Sequence, residues 1–215
     1  MIISRGRSYI FVHIPKTGGT SLALALEGRA MKDDIMLGDT PKALKRRRRL
    51  KDAQTRGRLW KHSTLADIDG LLRPEEIAGM FCFTLVRNPW DRMVSYYHWL
   101  REQSLDHPAM RRAKALEFSG FLNDPLVAAS FARFPARSYL TDASGAERAA
   151  LYIRLEHFEV DAAPLWRHLG FALDLPRLNA SARLSDYRRY YSDADADRLA
   201  IIAADDIRRF GYRFE

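Results

Sequence analysis

Two apolar runs constrain this chain more than any other feature. Tyr9–Ile14 is aromatic and β-branched, and Met80–Val86 (Met-Phe-Cys-Phe-Thr-Leu-Val) is apolar almost without interruption. Each gives way at once to a polar turn and then to a helix-forming stretch. A strand that is apolar at successive positions has both faces covered, as a strand does inside a parallel sheet with helices on either side. The pattern predicts a three-layer α/β fold, a mainly parallel sheet flanked by helices. In such sheets ligands bind where the strands end and the chain turns into helices.

The first turn reads His13-Ile14-Pro15-Lys16-Thr17-Gly18-Gly19-Thr20-Ser21, and a helix is expected over Thr20–Glu27. Gly18 and Gly19 allow positive φ and a close approach of backbone to ligand. The helix start offers unpaired N–H groups and the positive end of its dipole to a phosphate or sulfate. Thr20 or Ser21 is expected to cap it, and Lys16 supplies a mobile point charge. The order differs from the ATP-binding motif G-x-x-x-x-G-K-[ST], because here the lysine precedes the glycine pair. That order disfavours an ordinary ATPase or kinase.

The second turn is Arg87-Asn88-Pro89. Asparagine is a favoured N-cap and proline a favoured first helical residue, so a helix should start here, burying Trp90, Met93, Val94 and Tyr97. Arg87 then stands at the carboxyl end of a central strand, and Ser95 projects from the second turn of the helix. Arginine with a nearby hydroxyl makes a bidentate, permanently charged phosphate clamp. The plainer reading of Arg87 is an ion pair, for instance with Asp91.

At 215 residues the chain is expected to form a single domain over 1–215, with a basic insertion at about 32–61 and a helical C-terminal part at about 156–215. The net charge of +8 favours anionic partners, and the densest basic stretch runs from Lys42 through Arg46, Arg47, Arg48 and Arg49 to Lys61. Only Trp60 interleaves it, and no nucleic-acid-binding signature is present, so no specific nucleic-acid partner is expected. No apolar run approaches the ~20 residues of a membrane span, and no signal peptide is apparent, so a cytoplasmic location is expected. The single cysteine, Cys82, excludes an internal disulfide or a multi-cysteine zinc site and reads as core. His62 precedes a helix-like stretch, Leu65–Leu72, and a last helix is expected from Ser192 with Leu199, Ile202, Ala203, Asp206, Ile207 and Phe210 facing inward.

Strand-HIPKTGGTS-helix followed by strand-RNPWDRMVSYY-helix resembles the two nucleotide-binding motifs of the sulfotransferases that use 3'-phosphoadenosine 5'-phosphosulfate (PAPS), in particular the branch containing carbohydrate sulfotransferases. The resemblance implies a fold related to the nucleotide-binding P-loop architecture. It implies that Lys16, Thr17, Gly18, Gly19, Thr20 and Ser21 hold the phosphosulfate and that Arg87 and Ser95 hold the 3'-phosphate. The stretch after Leu175 is similar to a C-terminal loop that closes over the nucleotide in this family, which makes Ser181, Arg183 and Tyr187 candidate contacts. Similar enzymes of the branch place a histidine base ahead of a helix in the region of His62.

These roles describe transfer of a sulfuryl group from PAPS to an acceptor hydroxyl, a saccharide by the branch resemblance, or to an amine. PAP, 3'-phosphoadenosine 5'-phosphate, is the expected product. Lys16 and His62 are the expected catalytic residues, and no metal is expected. The alternatives are a kinase or NTPase related to the P-loop enzymes, and a non-catalytic polyanion-binding module built on the basic stretch Lys42 to Lys61.

Overall fold

A computed structural model of the protein describes residues 1–104, 106–175 and 183–215. The chain divides into two compact units, Met1–Val86 with Ala136–Leu178, and Arg87–Pro135 with Asn179–Glu215.

The first unit holds the sheet. Its strands are β1 (Ile2–Ser4), β2 (Tyr9–Val12), β3 (Ile35–Met36), β4 (Phe81–Val86) and β5 (Ala149–Arg154), in the spatial order β3-β1-β2-β4-β5. β2 pairs with β4 and β4 with β5 in parallel, while β1 is antiparallel to both β2 and β3. The sheet is therefore mixed: β1 alone runs against the others.

The near-continuous apolar runs follow from this placement. Tyr9, Phe11, Phe83 and Leu85 point to one face and pack with Leu22 and Leu26 of helix α1 (Gly19–Gly28), Ala43 of α2 (Pro41–Arg47), and Leu165 of the helix Ala163–Leu169. Ile10, Val12, Cys82 and Thr84 point to the other face and are fully buried too. There the Cys82 Sγ lies 3.8 Å from the Ile77 carbonyl of α3 (Pro74–Ala78), as a packed core thiol, with its pKa pushed up to about 12 by burial.

The second unit is helical and is built around α4 (Pro89–Glu102). Its N-terminus is the one expected: the Asn88 side chain accepts from the Trp90 and Asp91 N–H groups, and Pro89 opens the helix. Trp90, Met93, Val94 and Tyr97 face the core of this unit together with Leu199.

Two expectations change. Residues 65–72 form turns, not a helix: the Thr64 N–H donates to the Asp67 carboxylate, the Asp67 N–H donates to Thr64 Oγ1, and Gly70 has φ 93°. These local side-chain bonds and a left-handed glycine compete with helical pairing. The single last helix is two, Asp193–Ile202 and Ala204–Phe210, broken at Ala203, and Asp206 lies 4.0 Å from Arg92. Among the described residues no helix is long and apolar enough to cross a membrane.

The turn that leads into β5 depends on one carboxylate. Asp142 accepts from the Ser144 N–H (2.9 Å) and hydroxyl (2.6 Å), the Ala146 N–H (3.1 Å) and Arg148 Nε (2.6 Å). Burial alone would raise its pKa, but these donors outweigh it and hold the group at about 2. The folded value lies below the ordinary 3.8, so this contribution is present above about pH 4 and fades as pH falls through 2. Asp142→Ala is expected to destabilise by about 3 kcal/mol, because it leaves Arg148 and two N–H groups unpaired. A melting curve at neutral pH checks this; an unchanged midpoint would show the turn to be held otherwise.

Candidate active site

The loop between β2 and α1 is built for close approach. Lys16 has φ 66° and Gly18 φ 82°, so two residues of the loop are left-handed, one of them a non-glycine residue of the kind that is held only by its surroundings. Gly18 is the N-cap of α1 and no side chain caps the helix, so neither Thr20 nor Ser21 takes the capping role expected of them. The reason is the glycine pair itself: the left-handed Gly18 starts the helix one residue early, at Gly19, and places Thr20 and Ser21 inside the first turn. The first-turn N–H groups are thereby left without a side-chain acceptor, the arrangement that receives an anion.

The other loop residues divide by role. Thr17 is buried and its hydroxyl donates to the Ile14 carbonyl at 2.9 Å, so the hydroxyl shapes the loop. Thr20 is exposed and Ser21 half-buried. Gly19 is required by packing, since a Cβ there would lie 2.4 Å from Cδ2 of the buried His13 ring.

His13 in turn sets His62. The His13 carbonyl accepts from His62 Nδ1 at 2.7 Å, and a carbonyl can only accept, so the proton sits on Nδ1 and the lone pair on Nε2. The two rings meet edge-on at 4.7 Å, and Trp60 packs edge-on against His62 at 5.0 Å. Burial lowers the His62 pKa to about 4; the hydrogen bond to His13 opposes the shift and the Lys61 ammonium adds to it. His13 is also held well below its usual range, by burial first and His62 second. Both imidazoles are neutral at pH 7, which is the state a base requires.

The second unit carries a separate cluster of charge. Arg87, Asp91, Ser95 and His98 recur at intervals of four, four and three, one face of α4 and its approach. The Asp91 carboxylate bridges two arginines, taking Arg87 Nε at 2.8 Å and Nη2 at 2.6 Å on one oxygen and Arg183 Nη2 at 2.6 Å on the other. Ser95 is buried. Two buried nitrogens of this cluster, Arg183 Nη1 and His98 Nε2, have no hydrogen-bond partner among the described residues. Burial lowers the His98 pKa, and Arg183 and Arg101 lower it further.

The structure thus places the loop Lys16, Thr17, Gly18, Gly19, Thr20 and Ser21 and, linked to it through His13, His62 in the first unit, and joins Arg87 and Arg183 through Asp91 in the second, with Ser95 one turn along α4 from Asp91. Tyr187 lies in the second unit as well, but its hydroxyl accepts from Asn88 Nδ2 at 3.2 Å and donates to the Glu215 carbonyl at 2.8 Å. Ser181 lies outside the described residues. Asp91, expected only as a partner of Arg87, and His98 join this cluster; their spacing from Arg87 along one helix face is the sequence signal for both.

Much of the basic stretch serves the first unit. Lys42 donates to the Glu27 carbonyl, Arg46 to the carbonyls of Met31 and Asp34, Arg49 to that of Lys32, and Arg56 to that of Ala143.

No curated protein matches the chain in sequence. Among solved structures it is similar to mouse sulfotransferase SULT7A1 complexed with PAP, with a TM-score of 0.54 and 16% identity over 96% of this chain and 86% of that one, a likeness of fold. A sequence profile of the sulfotransferase family matches residues 1–143, two thirds of the chain, a span that holds the Lys16 loop, His62, Arg87 and Ser95. By that match and that fold, the chain belongs to the sulfotransferase family.

Proposed function

We propose that the protein transfers a sulfuryl group from PAPS to an acceptor hydroxyl or amine. The observation that carries the choice of donor is the presence of two anion-accepting places in the chain. The uncapped start of α1 with Lys16 fits the 5'-phosphosulfate, and the buried Arg183 Nη1, without a partner among the described residues and joined to Arg87 through Asp91, fits a 3'-phosphate. A guanidinium nitrogen left unpaired in the interior costs about 1–3 kcal/mol or more, a cost that an arriving phosphate oxygen removes. The mouse sulfotransferase of similar fold is complexed with PAP, which supports a nucleotide of this kind here.

PAPS supplies the activated sulfuryl group. Lys16 then neutralises charge on the leaving phosphate oxygen, helped by the backbone N–H groups of α1. Nε2 of His62 accepts the acceptor's proton, with Nδ1–H fixed on the His13 carbonyl. Asp91 holds Arg87 and Arg183 in place before the nucleotide arrives, so less side-chain freedom is lost on binding. The expectation of a saccharide acceptor rests on motifs assigned to the donor, which say little about the acceptor itself. A kinase reading is disfavoured by the lysine's place before the glycine pair.

Transfer of label from sulfur-labelled PAPS into a fractionated cell extract, with mass identification of the product, tests this reading. A sulfated product formed with PAPS is expected. Label transfer from the γ-phosphate of ATP, with none from PAPS, would replace it with the kinase reading.

A further inference from the structure

The basic stretch is a feature of the sequence that the proposed transfer leaves without a use. Residues 41–51, Pro-Lys-Ala-Leu-Lys-Arg-Arg-Arg-Arg-Leu-Lys, hold seven cations and no carboxylate, and Asp52, which follows directly, offsets one charge at most. They fold as α2 and a short helical turn, Arg48–Leu50, so the charges are carried on ordered backbone. Lys42, Arg46 and Arg49 turn toward the loop at 27–34 and donate to carbonyls there: Lys42 to Glu27 at 2.8 Å, Arg46 to Met31 at 2.6 Å and Asp34 at 3.0 Å, and Arg49 to Lys32 at 3.0 Å. A carbonyl carries no net charge, so these bonds fix the side chains without neutralising them. Among the described residues none of the seven cations pairs with a carboxylate. Arg46 and Arg49 bond the protein through Nη1, and a guanidinium has five donors, so each keeps donors for an anion.

The side of the helix turned away from that loop has a different composition. Leu44, Arg47, Arg48 and Lys51 recur at helical spacing and all four are exposed, Leu44 at 48%, while Ala43 packs into the core. This face therefore offers one large aliphatic side chain among three cations. Nucleic acid would use only part of it: residues 41–51 hold no aromatic side chain to stack on a base and no Asn or Gln to read one. Any water-borne polyanion would meet the cations and leave Leu44 in water. A bilayer with anionic headgroups meets both, phosphate against the cations and the acyl boundary against the leucine.

We infer that α2 and the turn after it form a docking surface for a membrane that carries anionic phospholipid, with Arg47, Arg48 and Lys51 against headgroup phosphates and Leu44 at the acyl boundary. Docking of this kind is reversible. Each cation near an anionic leaflet adds to the affinity, the attraction fades beyond a Debye length of about 10 Å at 0.1 M salt, and one leucine enters only the boundary layer. Neither the Lys16 loop nor Arg87 takes part, so the surface holds the protein at a bilayer whether or not nucleotide is bound.

Vesicle co-sedimentation of the full chain tests this. Phosphatidylcholine vesicles with about 30% phosphatidylserine are expected to carry the protein down at about 0.1 M salt and to release it at about 0.5 M, and vesicles of phosphatidylcholine alone to leave it in solution. The triple variant Arg47→Gln, Arg48→Gln, Lys51→Gln is expected to bind about 30-fold more weakly or worse, and Arg47→Lys with Arg48→Lys, which keeps the charge, to stay within about threefold of wild type. Leu44→Trp supplies a reporter of depth: lipids brominated on the acyl chain are expected to quench it on anionic vesicles beyond the quenching of the wild-type tryptophans. Equal binding to neutral vesicles, no binding to anionic ones, or binding indifferent to the triple substitution would overturn the assignment to a membrane. So would a heparin or RNA fragment that binds through the same three side chains while Leu44→Trp stays unquenched, since the surface would then serve a polyanion in solution. PAP affinity of the triple variant is expected within about twofold of wild type; a parallel loss would place these cations in the nucleotide site instead. Should the triple variant lose its cooperative melt, the comparison of anionic with neutral vesicles and the quenching of Leu44→Trp decide.

Discussion

Lys16→Met is expected to lower turnover by about 10²–10³-fold while changing PAP affinity far less. The reasoning is differential. Negative charge on the phosphate oxygen grows as its bond to sulfur breaks, so an ammonium placed there contributes more to the transition state than to the bound donor. Methionine keeps the length of the side chain and removes only the charge. Lys16 holds φ 66°, a conformation that any β-carbon-bearing replacement must also adopt, so the substitution leaves the backbone problem as it was. Single-turnover kinetics with saturating PAPS measure the effect. An unchanged rate constant would remove Lys16 from the chemistry.

His62→Ala is expected to cost about 10²–10⁴-fold in turnover, the usual range for loss of a general base. The pH profile gives the more specific signature. With a pKa near 4 in the free protein, His62 stays neutral through the whole physiological range. In wild-type protein kcat/KM should therefore hold level well below the ordinary imidazole value of 6.5, and fall only as pH approaches about 4. In the alanine variant that acidic limb should vanish. Full turnover in the variant would mean that another group, or none, takes the proton. A limb at 6.5 in the wild type would mean that His62 is solvated, against its burial beside His13 and Trp60.

The same depression has a consequence for stability. Folded His62 and His13 have pKa values below the unfolded 6.5, so the unfolded chain binds more protons as pH drops below that value. Stability is then lost on acidification from about 6.5 toward 4, before the Asp142 contribution begins to be lost below about 4 and is gone near 2.

What could be read from the sequence was what local chemistry decides. Asn88 and Pro89 specify a helix start through their own side-chain oxygen and fixed φ, and the helix is there. Phe83 and Cys82, adjacent and both apolar, specify a strand covered on two faces, and both are fully buried. The loop at Lys16–Ser21 was legible because its glycines are adjacent to the lysine and to a helix-forming run. What could not be read depends on partners far along the chain. Arg183 meets Asp91 across 92 positions, His62 meets the His13 carbonyl across 49, and Thr84 Oγ1 reaches the Val12 carbonyl across 72. The Leu65–Leu72 misreading came from apolar spacing that fits a helix, overridden by Thr64, Asp67 and Gly70 bonding and turning locally. The basic stretch misleads in a related way: Arg46 and Arg49 look solvent-bound in sequence, yet both fasten backbone carbonyls of residues 31–34.

The central claim is that the chain grips a nucleotide carrying phosphate at both its 3' and 5' ends. Calorimetric titration with PAP, set beside the same titration with AMP and with ATP plus magnesium, tests it most directly. PAP is expected to bind with a Kd on the order of micromolar, about −8 kcal/mol. AMP, which lacks the 3'-phosphate that Arg87, Ser95 and Arg183 would hold, is expected to bind at least about 10-fold more weakly, the loss of a charge-assisted hydrogen bond or more. No heat with millimolar PAP, or tighter binding of ATP with magnesium than of PAP, would contradict it.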